Sequence, residues 1–257
     1  MILKGRGISE GKISGKVTKV SKRVSFLGDV SPEDGTVFGD KEITGSIFVF
    51  PEGKGSTVGS YVIYQLKKNS TAPIGMINEI SETIVASGSI ISDIPLVDKI
   101  DIDLIDEGDR VKVDGHKGEV ELKDVEMIDV VTAFLKKGDH ILLVKRSDKV
   151  GTFKNKWAGV SGYLEDEPLK QAKKEIREET KLDGDIIYEG EPVKARDKDT
   201  IWKVHPFLFE VRDDPELDWE NERYEWVEPL EIKRRDTVPK LWDAFLSARC
   251  SDESKDR

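Results

Sequence analysis

The sequence is poor in residues that bind soft metals or form disulfides. Its 257 residues include one cysteine, Cys250, and three histidines, His116, His140 and His205. A disulfide, a cysteine-rich zinc site or an iron–sulfur cluster needs several cysteines, so this chain alone cannot supply any of them. Scarce cysteine is also typical of a reducing compartment, and we therefore expect a cytoplasmic protein.

Long apolar runs and excess positive charge are missing as well. The longest apolar run lies within residues 46–50, whereas a membrane-spanning helix needs about 20 such residues. The first residues lack the apolar core of a signal peptide. The net charge is −10, and nucleic-acid affinity comes largely from lysine and arginine. We expect neither a membrane protein nor a nucleic-acid binder.

The first half of the chain has a β-rich pattern. Residues 1–125 are rich in Gly, Ser, Val and Ile, and they close with a predicted hairpin that turns at Asp114 and Gly115. One helix pattern begins near Thr57. The predicted strands of this half, separated by Gly, Asp-Gly and Pro, lie at residues 15–20, 47–50, 83–86 and 110–113.

The second half starts a new pattern, with a clear helix at residues 168–180. The other predicted elements are strands at residues 128–135, 140–145 and around 202–211, and a final helix near residues 238–248. A polar tail that we expect to be frayed follows from Ser251. The two patterns together predict an α/β protein of two domains, residues 1–125 and residues 126–257.

A glycine-rich turn joins a strand to a helix within residues 48–60. Glycines let the backbone approach a ligand closely, and free N–H groups at the start of a helix favour anions. Lys54 adds a positive charge, and Ser56 and Thr57 add hydroxyl groups. The spacing differs from that of a Walker A loop. Taken alone, the pattern favours a capped helix start over an anion-binding site.

Four motifs in the first half occur in a fixed order, and one of them contains this turn. They are GKISGK at 11–16, SFLGDVSPEDG at 25–35, FPEGKGSTVGS at 50–60 and IPLVD at 94–98. Over nearly all of residues 1–122 the chain resembles the small subunit of the aconitase X family, whose archaeal members are phosphomevalonate dehydratases. The resemblance implies a swivelling β/β/α domain that corresponds to the mobile last domain of aconitase.

The resemblance also implies a reaction and a partner. The family removes water from mevalonate 5-phosphate to give an anhydromevalonate 5-phosphate, and a separate large subunit holds a [4Fe-4S] cluster. We therefore expect a heterodimer that acts on small phosphorylated substrates. Alignment with the aconitase loop implies that Ser56 is the catalytic base and that Lys54 assists it. The substrate-binding residues implied in the same way are Gly53, Gly55, Thr57 and Ser25.

The loop cannot make Ser56 a strong base by itself. A helix terminus or a nearby cation contributes about 0.3–2 kcal/mol, and one pKa unit corresponds to about 1.4 kcal/mol. The pKa of a serine hydroxyl would therefore fall by only about one unit, far too little to give an alkoxide at neutral pH. We expect Ser56 to act only in the assembled complex, beside substrate and metal.

The helix of the second half carries a cluster of carboxylates. Glu175, Glu178 and Glu179 are spaced three and four residues apart and can face one side of the helix. Oxygen ligands of this kind favour a hard divalent ion such as Mg²⁺. For an isolated helix, however, the pattern favours a solvated face on which Lys173, Lys174 and Arg177 neutralise the glutamates.

The sequence around this helix resembles a Nudix box. Its core is KEIREE at 174–179, and Gly162 and Glu165 match the approach to it. The resemblance spans about residues 127–248 and implies an α/β/α sandwich that hydrolyses a diphosphate linked to another group. It also implies Mg²⁺ or Mn²⁺ held by Glu175, Glu178 and Glu179.

The box departs from the family pattern, which leaves its activity open. The loop before the core is two residues short, Lys174 replaces an arginine, and Lys181 replaces the closing glycine. Glu222 or Glu225 is a candidate extra base. The substrate is a nucleoside or isoprenoid diphosphate, or the domain is a non-catalytic ligand sensor. For the first half, another aconitase X dehydratase substrate such as a hydroxyproline is the alternative.

Overall fold

A computed structural model describes residues 1–249, so Cys250 and the predicted polar tail lie outside the described residues. The chain divides into two compact units, Met1–Glu126 and a second that begins at Met127. Among residues 1–249, no helix combines the length and the apolar character that a bilayer crossing requires.

The first unit contains an eight-stranded mixed sheet and a small three-stranded sheet. Its strands are β1 (Ile2–Lys4), β2 (Arg6–Ser9), β3 (Lys12–Lys19), β4 (Val30–Ser31), β5 (Thr36–Val37), β6 (Lys41–Glu42), β7 (Ile47–Glu52), β8 (Gly75–Ile80), β9 (Leu96–Asp98), β10 (Arg110–Asp114) and β11 (Glu119–Leu122). Its helices are α1 (Phe26–Asp29), α2 (Gly59–Asn69) and α3 (Thr83–Ile91), with a 3-10 turn at Ile102–Leu104. The large sheet has the order β1-β11-β10-β3-β7-β8-β9-β2, and β4, β5 and β6 form the small sheet.

The centre of the large sheet is parallel, because β3, β7, β8 and β9 run in the same direction. Helix α2 connects β7 to β8, and α3 connects β8 to β9. Helix α2 buries Ile63 and Leu66 in a core that includes Phe48 and Phe50 of β7, and each such side chain contributes about 1.5–3 kcal/mol when fully buried. The glycine-rich turn follows the carboxyl end of β7, the edge where open α/β sheets bind ligands.

Residues 83–86 were predicted as a strand, and that prediction is wrong: they begin helix α3. The side chain of Glu82 caps the helix, accepting hydrogen bonds from the backbone N–H groups of Ile84 and Val85, the latter at 3.2 Å. A Cβ at Gly88 would lie 2.6 Å from the side chain of Ile63, so this glycine lets α3 lie close to α2. Capping and packing therefore outweigh the β propensity of Thr, Ile and Val.

The other predicted strands of the first unit are present. The predicted hairpin is confirmed, with β10 and β11 antiparallel and Asp114 opposite Glu119, so that its loop spans residues 115–118. The helix expected near Thr57 is α2, which begins at Gly59.

The second unit is an eight-stranded sheet with a helix on each face. Its strands are β12 (Glu126–Lys137), β13 (His140–Arg146), β14 (Trp157–Ala158), β15 (Val160–Tyr163), β16 (Asp185–Glu189), β17 (Val193–Asp197), β18 (Thr200–Glu210) and β19 (Asn221–Val227). Its helices are α4 (Pro168–Thr180), as predicted, and α5 (Leu241–Ala248), with a 3-10 helix at Pro229–Arg234. Helix α5 begins three residues later than predicted.

The strand sequences explain this layering. Side chains alternate between the two faces of a strand, so Phe207 and Phe209 of β18 pack in the core that contains Ile176 of α4. Leu208 of the same strand packs on the other side, in the core that contains Phe245 of α5. The second unit is thus an α/β/α sandwich, as predicted.

Candidate active sites

The first candidate site is the loop of residues 53–58, which we call the Gly-Lys loop. Its start is fixed by Val24, which forms a parallel bridge with Gly53 and accepts a hydrogen bond from the backbone N–H of Lys54 at 2.9 Å. Gly55 has a φ of +103°, in the region that favours glycine, and a Cβ there would lie 3.0 Å from Ser25 Oγ. The structure therefore brings Ser25 against the loop, although the two are far apart in sequence.

Asp29 links the segment around Ser25 to the Gly-Lys loop. Sequence reasoning did not identify this residue. Its Oδ2 accepts a hydrogen bond from the backbone N–H of Ser25 at 2.8 Å and lies 3.6 Å from Nζ of Lys54. Both side chains are partly exposed, so the ion pair contributes little stability, at most about 1 kcal/mol. Its effect is to orient Lys54. The one sequence feature that could have identified Asp29 as a site residue is its presence in the motif at residues 25–35.

Ser56 and Thr57 lie exposed between β7 and α2. Ser56 Oγ accepts a hydrogen bond from the backbone N–H of Val58 at 3.3 Å, and a donated hydrogen bond favours negative charge on the oxygen that accepts it. The carbonyl of Thr57 accepts a hydrogen bond from Ser60 Oγ at 2.9 Å. The loop therefore presents the Ser56 hydroxyl at the surface, two residues after Lys54.

The second candidate site is a cavity of about 300 Å³ in the second unit. Glu175 and Glu178 of α4 line it together with Glu220, and so do the aromatic side chains of Phe153 and Trp202. Trp202 is buried and forms an edge-to-face contact with Phe153, with the ring centroids 5.5 Å apart. The lining of the cavity thus includes both carboxylates and aromatic side chains, which we call its carboxylate end and its aromatic wall.

Glu175 is clamped between a strand and its own helix. A Cβ at Gly162 of β15 would lie 2.1 Å from the carboxyl group of Glu175, so a side chain at this position would displace that carboxyl group. On the helix side, Gln171 Nε2 donates a hydrogen bond to Glu175 Oε1 at 2.6 Å. Burial raises the pKa of Glu175, and repulsion by Glu178 raises it further.

Glu179 does not line the cavity but lies buried behind it, with a side chain that is 3% exposed. Its carboxylate accepts hydrogen bonds from the backbone N–H of Ser161 at 3.1 Å and from Asn221 Nδ2 at 2.6 Å. Burial raises the pKa of Glu179 to about 8. Of the three predicted metal-binding glutamates, the structure brings Glu175 and Glu178 to the cavity and places Glu179 beneath it.

Glu220 lines the cavity, and sequence reasoning missed it. It lies just before β19, and burial raises its pKa, as does the charge of Asp218. Neither candidate extra base lines the cavity: Glu222 is exposed, and Glu225 pairs with Arg235 at 2.7 Å. The position of Glu220 depends on where β19 begins, which the sequence pattern did not define.

These carboxylates fit a hard divalent cation. Glu175, Glu178 and Glu220 face one cavity. Burial is the largest cause of the raised pKa values of Glu175 and Glu220, and neighbouring carboxylates raise them further against the opposing charges of Lys174 and Arg146. Among residues 1–249, no three His, Cys, Asp or Glu side chains form a preassembled ligand set. Mg²⁺ does not need one, because it is commonly held by one or two carboxylates, several waters and substrate phosphates.

Two basic residues of α4 pair with carboxylates other than Glu175, Glu178 and Glu220, although Lys174 also lines the cavity. Arg177 pairs with Asp183 at 2.6 Å, and Lys174 lies 3.6 Å from the carboxylate of Glu165. Lys181, in place of the closing glycine, ends the helix with a φ of +60°. That conformation costs a non-glycine residue about 1–2 kcal/mol. The fold thus accommodates both Lys174 and Lys181, which depart from the family pattern. No ion pair within residues 1–249 neutralises Glu175 or Glu178.

We expect Glu179→Gln to flatten the pH dependence of stability in the metal-free protein. The folded state holds the proton of Glu179 more tightly than the unfolded chain, whose pKa is near 4.5. The free energy of unfolding should therefore fall as pH rises from about 4.5 to about 8, by at most about 5 kcal/mol. Denaturant titrations in EDTA at pH 5–9 measure this, and tryptophan fluorescence reports the second unit, which holds all five tryptophans. If the free energy of unfolding changed equally with pH in wild type and variant, the prediction would be contradicted.

Comparison with known proteins places both units in families. Residues 2–122 match the aconitase X swivel domain, and residues 127–246 match the NUDIX domain. The phosphomevalonate dehydratase small subunit of Thermococcus kodakarensis is 53% identical over 128 residues, which cover 48% of this chain and 96% of that protein. The corresponding subunit of Methanococcoides burtonii is 54% identical over 129 residues, covering 46% of this chain and 93% of that protein.

Solved structures are similar to each half. Aconitase X of Thermococcus kodakaraensis in its holo form is 52% identical, covers 48% of this chain and 98% of its own, and has a TM-score of 0.46. A MutT protein of Methanosarcina mazei is 21% identical, covers 52% of this chain and 99% of its own, and has a TM-score of 0.44. On the matches in sequence, the chain belongs to the aconitase X swivel-domain family through residues 2–122 and carries a NUDIX domain over residues 127–246.

Proposed function

We propose that the first unit is the small subunit of a phosphomevalonate dehydratase that works with a large subunit carrying a [4Fe-4S] cluster. The observation that carries this proposal is the 53% identity over 96% of the Thermococcus kodakarensis small subunit. Relatives named as small subunits imply a larger partner. The single cysteine of this chain is consistent with a cluster held elsewhere.

The Gly-Lys loop supplies the proton acceptor. Loss of water from mevalonate 5-phosphate removes a hydroxyl from one carbon and a proton from the next, leaving a C=C bond. Bound in the partner, the cluster would supply a Lewis acid for the departing hydroxyl. In the assembled complex Ser56 first gives up its own proton, and the alkoxide then takes the substrate proton and returns to a neutral hydroxyl. The N–H of Val58 and the charge of Lys54 favour the alkoxide. The substrate phosphate or carboxylate binds the groups around the loop: the backbone of Gly53, Gly55 and Thr57 and the hydroxyl of Ser25.

Co-expression tests the dehydratase proposal. The full chain is purified with a phosphomevalonate dehydratase large subunit, and the complex is assayed on mevalonate 5-phosphate and, separately, on hydroxyproline. We expect a complex to form and to dehydrate only mevalonate 5-phosphate, while the chain alone is inactive. Dehydration of hydroxyproline instead would support the alternative substrate. Dehydration by the isolated chain would refute the division of labour.

The second unit favours a second function, metal-dependent hydrolysis of a diphosphate. The supporting observation is that Glu175, Glu178 and Glu220 face one cavity beside an aromatic wall. Bound there, Mg²⁺ or Mn²⁺ would neutralise diphosphate oxygens and activate water. Glu175 and Glu178 hold the ion, and the raised pKa of Glu220 suits a group that accepts a proton. The aromatic side chains of Phe153 and Trp202 contact the group attached to the diphosphate.

A substrate panel tests the hydrolase proposal. Nucleoside and isoprenoid diphosphates are incubated with the full chain and Mg²⁺ or Mn²⁺, and released phosphate is measured. Metal-dependent release from any member supports a hydrolase and identifies its substrate class. Binding without turnover across the panel would instead support a ligand-sensing module.

A further inference from the structure

Two buried carboxamides each contact one glutamate of the carboxylate helix. Gln171 is 2% exposed and donates to Glu175 at 2.6 Å. Asn221 is 6% exposed and donates to Glu179, also at 2.6 Å. Gln171 lies one turn before Glu175 on α4, whereas Asn221 reaches Glu179 from the first position of β19. Two different elements therefore deliver the same neutral donor to the same carboxylate cluster.

The neutrality of these donors matters for a cation site. A carboxamide donates a hydrogen bond to one carboxylate oxygen but brings no charge, so the carboxylate keeps its negative charge for a metal. A lysine or arginine in the same place would compete with the metal for that charge. Among residues 1–249 no ion pair joins a basic side chain of α4 to Glu175 or Glu179: Lys170, Lys174 and Arg177 pair with Asp166, Glu165 and Asp183.

Strand β15 also contacts both carboxylates. The backbone N–H of Ser161 donates to Glu179 at 3.1 Å, and the missing side chain of Gly162 makes room for the carboxyl group of Glu175. Rotation of either carboxylate would also break its short hydrogen bond to Gln171 or Asn221 inside the protein. Groups that orient metal ligands in this way commonly change metal affinity about 10–100-fold when removed.

We propose that Gln171 and Asn221 are positioning residues: Gln171 orients Glu175, which lines the cavity, and Asn221 orients Glu179 beneath it, so that the carboxylate end of the cavity binds a divalent cation. The proposal rests on the metal site of the proposed hydrolase function. In this proposal the two carboxamides, and not Lys174, orient the glutamates. The proposal does not depend on which diphosphate the domain hydrolyses.

The experiment measures binding of Mn²⁺ alone to the full chain by calorimetry and electron paramagnetic resonance. Gln171→Met keeps the volume and removes the donor, and Asn221→Leu does the same at the second position. Each variant should weaken Mn²⁺ binding about 10-fold or more. The melting temperature in EDTA should fall to the extent that a buried carboxylate loses a donor, and its rise on addition of Mn²⁺ should shrink as well. Gln65→Leu, at an exposed position of α2 in the other unit, is the matched control and should bind Mn²⁺ like wild type.

The outcomes separate this proposal from the function on which it rests. If wild type fails to bind Mn²⁺, the metal site itself is refuted. If wild type binds Mn²⁺ and both variants bind it equally well, the positioning role is refuted and the metal site stands. A lower melting temperature in EDTA with an unchanged dissociation constant would make the carboxamides purely structural. Because the two residues lie on different elements, misfolding of one variant leaves the other to decide.

Discussion

Replacing Ser56 by alanine should lower the rate of mevalonate 5-phosphate dehydration by the assembled complex by about 10²–10⁴-fold, the usual contribution of a positioned general base. Assembly with the large subunit and the fold should be unaffected. Ser56 is exposed, and its hydroxyl makes a single long hydrogen bond, at 3.3 Å, to the backbone of Val58. The turnover number of the purified complex measures the effect, and cluster absorbance confirms equal loading of variant and wild type.

Ser60→Ala is the matched control for this prediction. It removes the same atom four residues later and breaks a loop hydrogen bond, from Ser60 Oγ to the carbonyl of Thr57 at 2.9 Å. If general disturbance of the loop limits the rate, both variants lose activity to a similar extent. If Ser56 takes the proton, only Ser56→Ala shows the large loss. A Ser56→Ala complex with wild-type turnover would remove Ser56 from the mechanism.

Much of the fold followed from sequence periodicity, and the exceptions have physical causes. Helix α4 has the bounds that were predicted, because its apolar positions repeat at helical spacing and Pro168 stands at its start. Helix α3 was predicted as a strand, because Thr83, Ile84 and Val85 favour strands locally. What makes it a helix is the side-chain cap from Glu82 and the close contact of Gly88 with Ile63, and the contact is not local in sequence.

In the candidate sites, too, spacing along the sequence predicted some features, whereas contacts between distant segments decided the others. Helical spacing placed Glu175, Glu178 and Glu179 on one helix, and that is correct. Spacing could not show that Glu179 is buried under Ser161 and Asn221, because those contacts come from β15 and β19. Glu220 and Asp29 were missed for the same reason. Each enters its site through the pairing of distant segments.

The second large effect is expected at Glu178. This glutamate lines the cavity, is exposed, and has no side-chain ion pair among residues 1–249, so its charge is available to a metal. Glu178→Gln keeps the shape and removes the charge. Metal-dependent release of phosphate should fall at least about 100-fold, because loss of a ligand exceeds the 10–100-fold cost of losing a group that orients one. Phosphate release at a series of Mg²⁺ concentrations measures both the rate and the metal requirement.

Glu210→Gln is the control that tests whether the loss of activity in Glu178→Gln is specific to the cavity. Glu210 ends β18 at an exposed position outside the cavity, so its substitution makes the same change in net charge without touching the site. If loss of charge acted only through the overall field of the unit, the two variants would lose activity to a similar extent. If Glu178 binds the metal, Glu178→Gln alone loses activity, and higher Mg²⁺ restores part of it because weaker binding is offset by mass action. Equal activity of Glu178→Gln and wild type would exclude Glu178 as a ligand and leave Glu165, Glu175 and Glu220 as the carboxylates lining the cavity that could hold a metal.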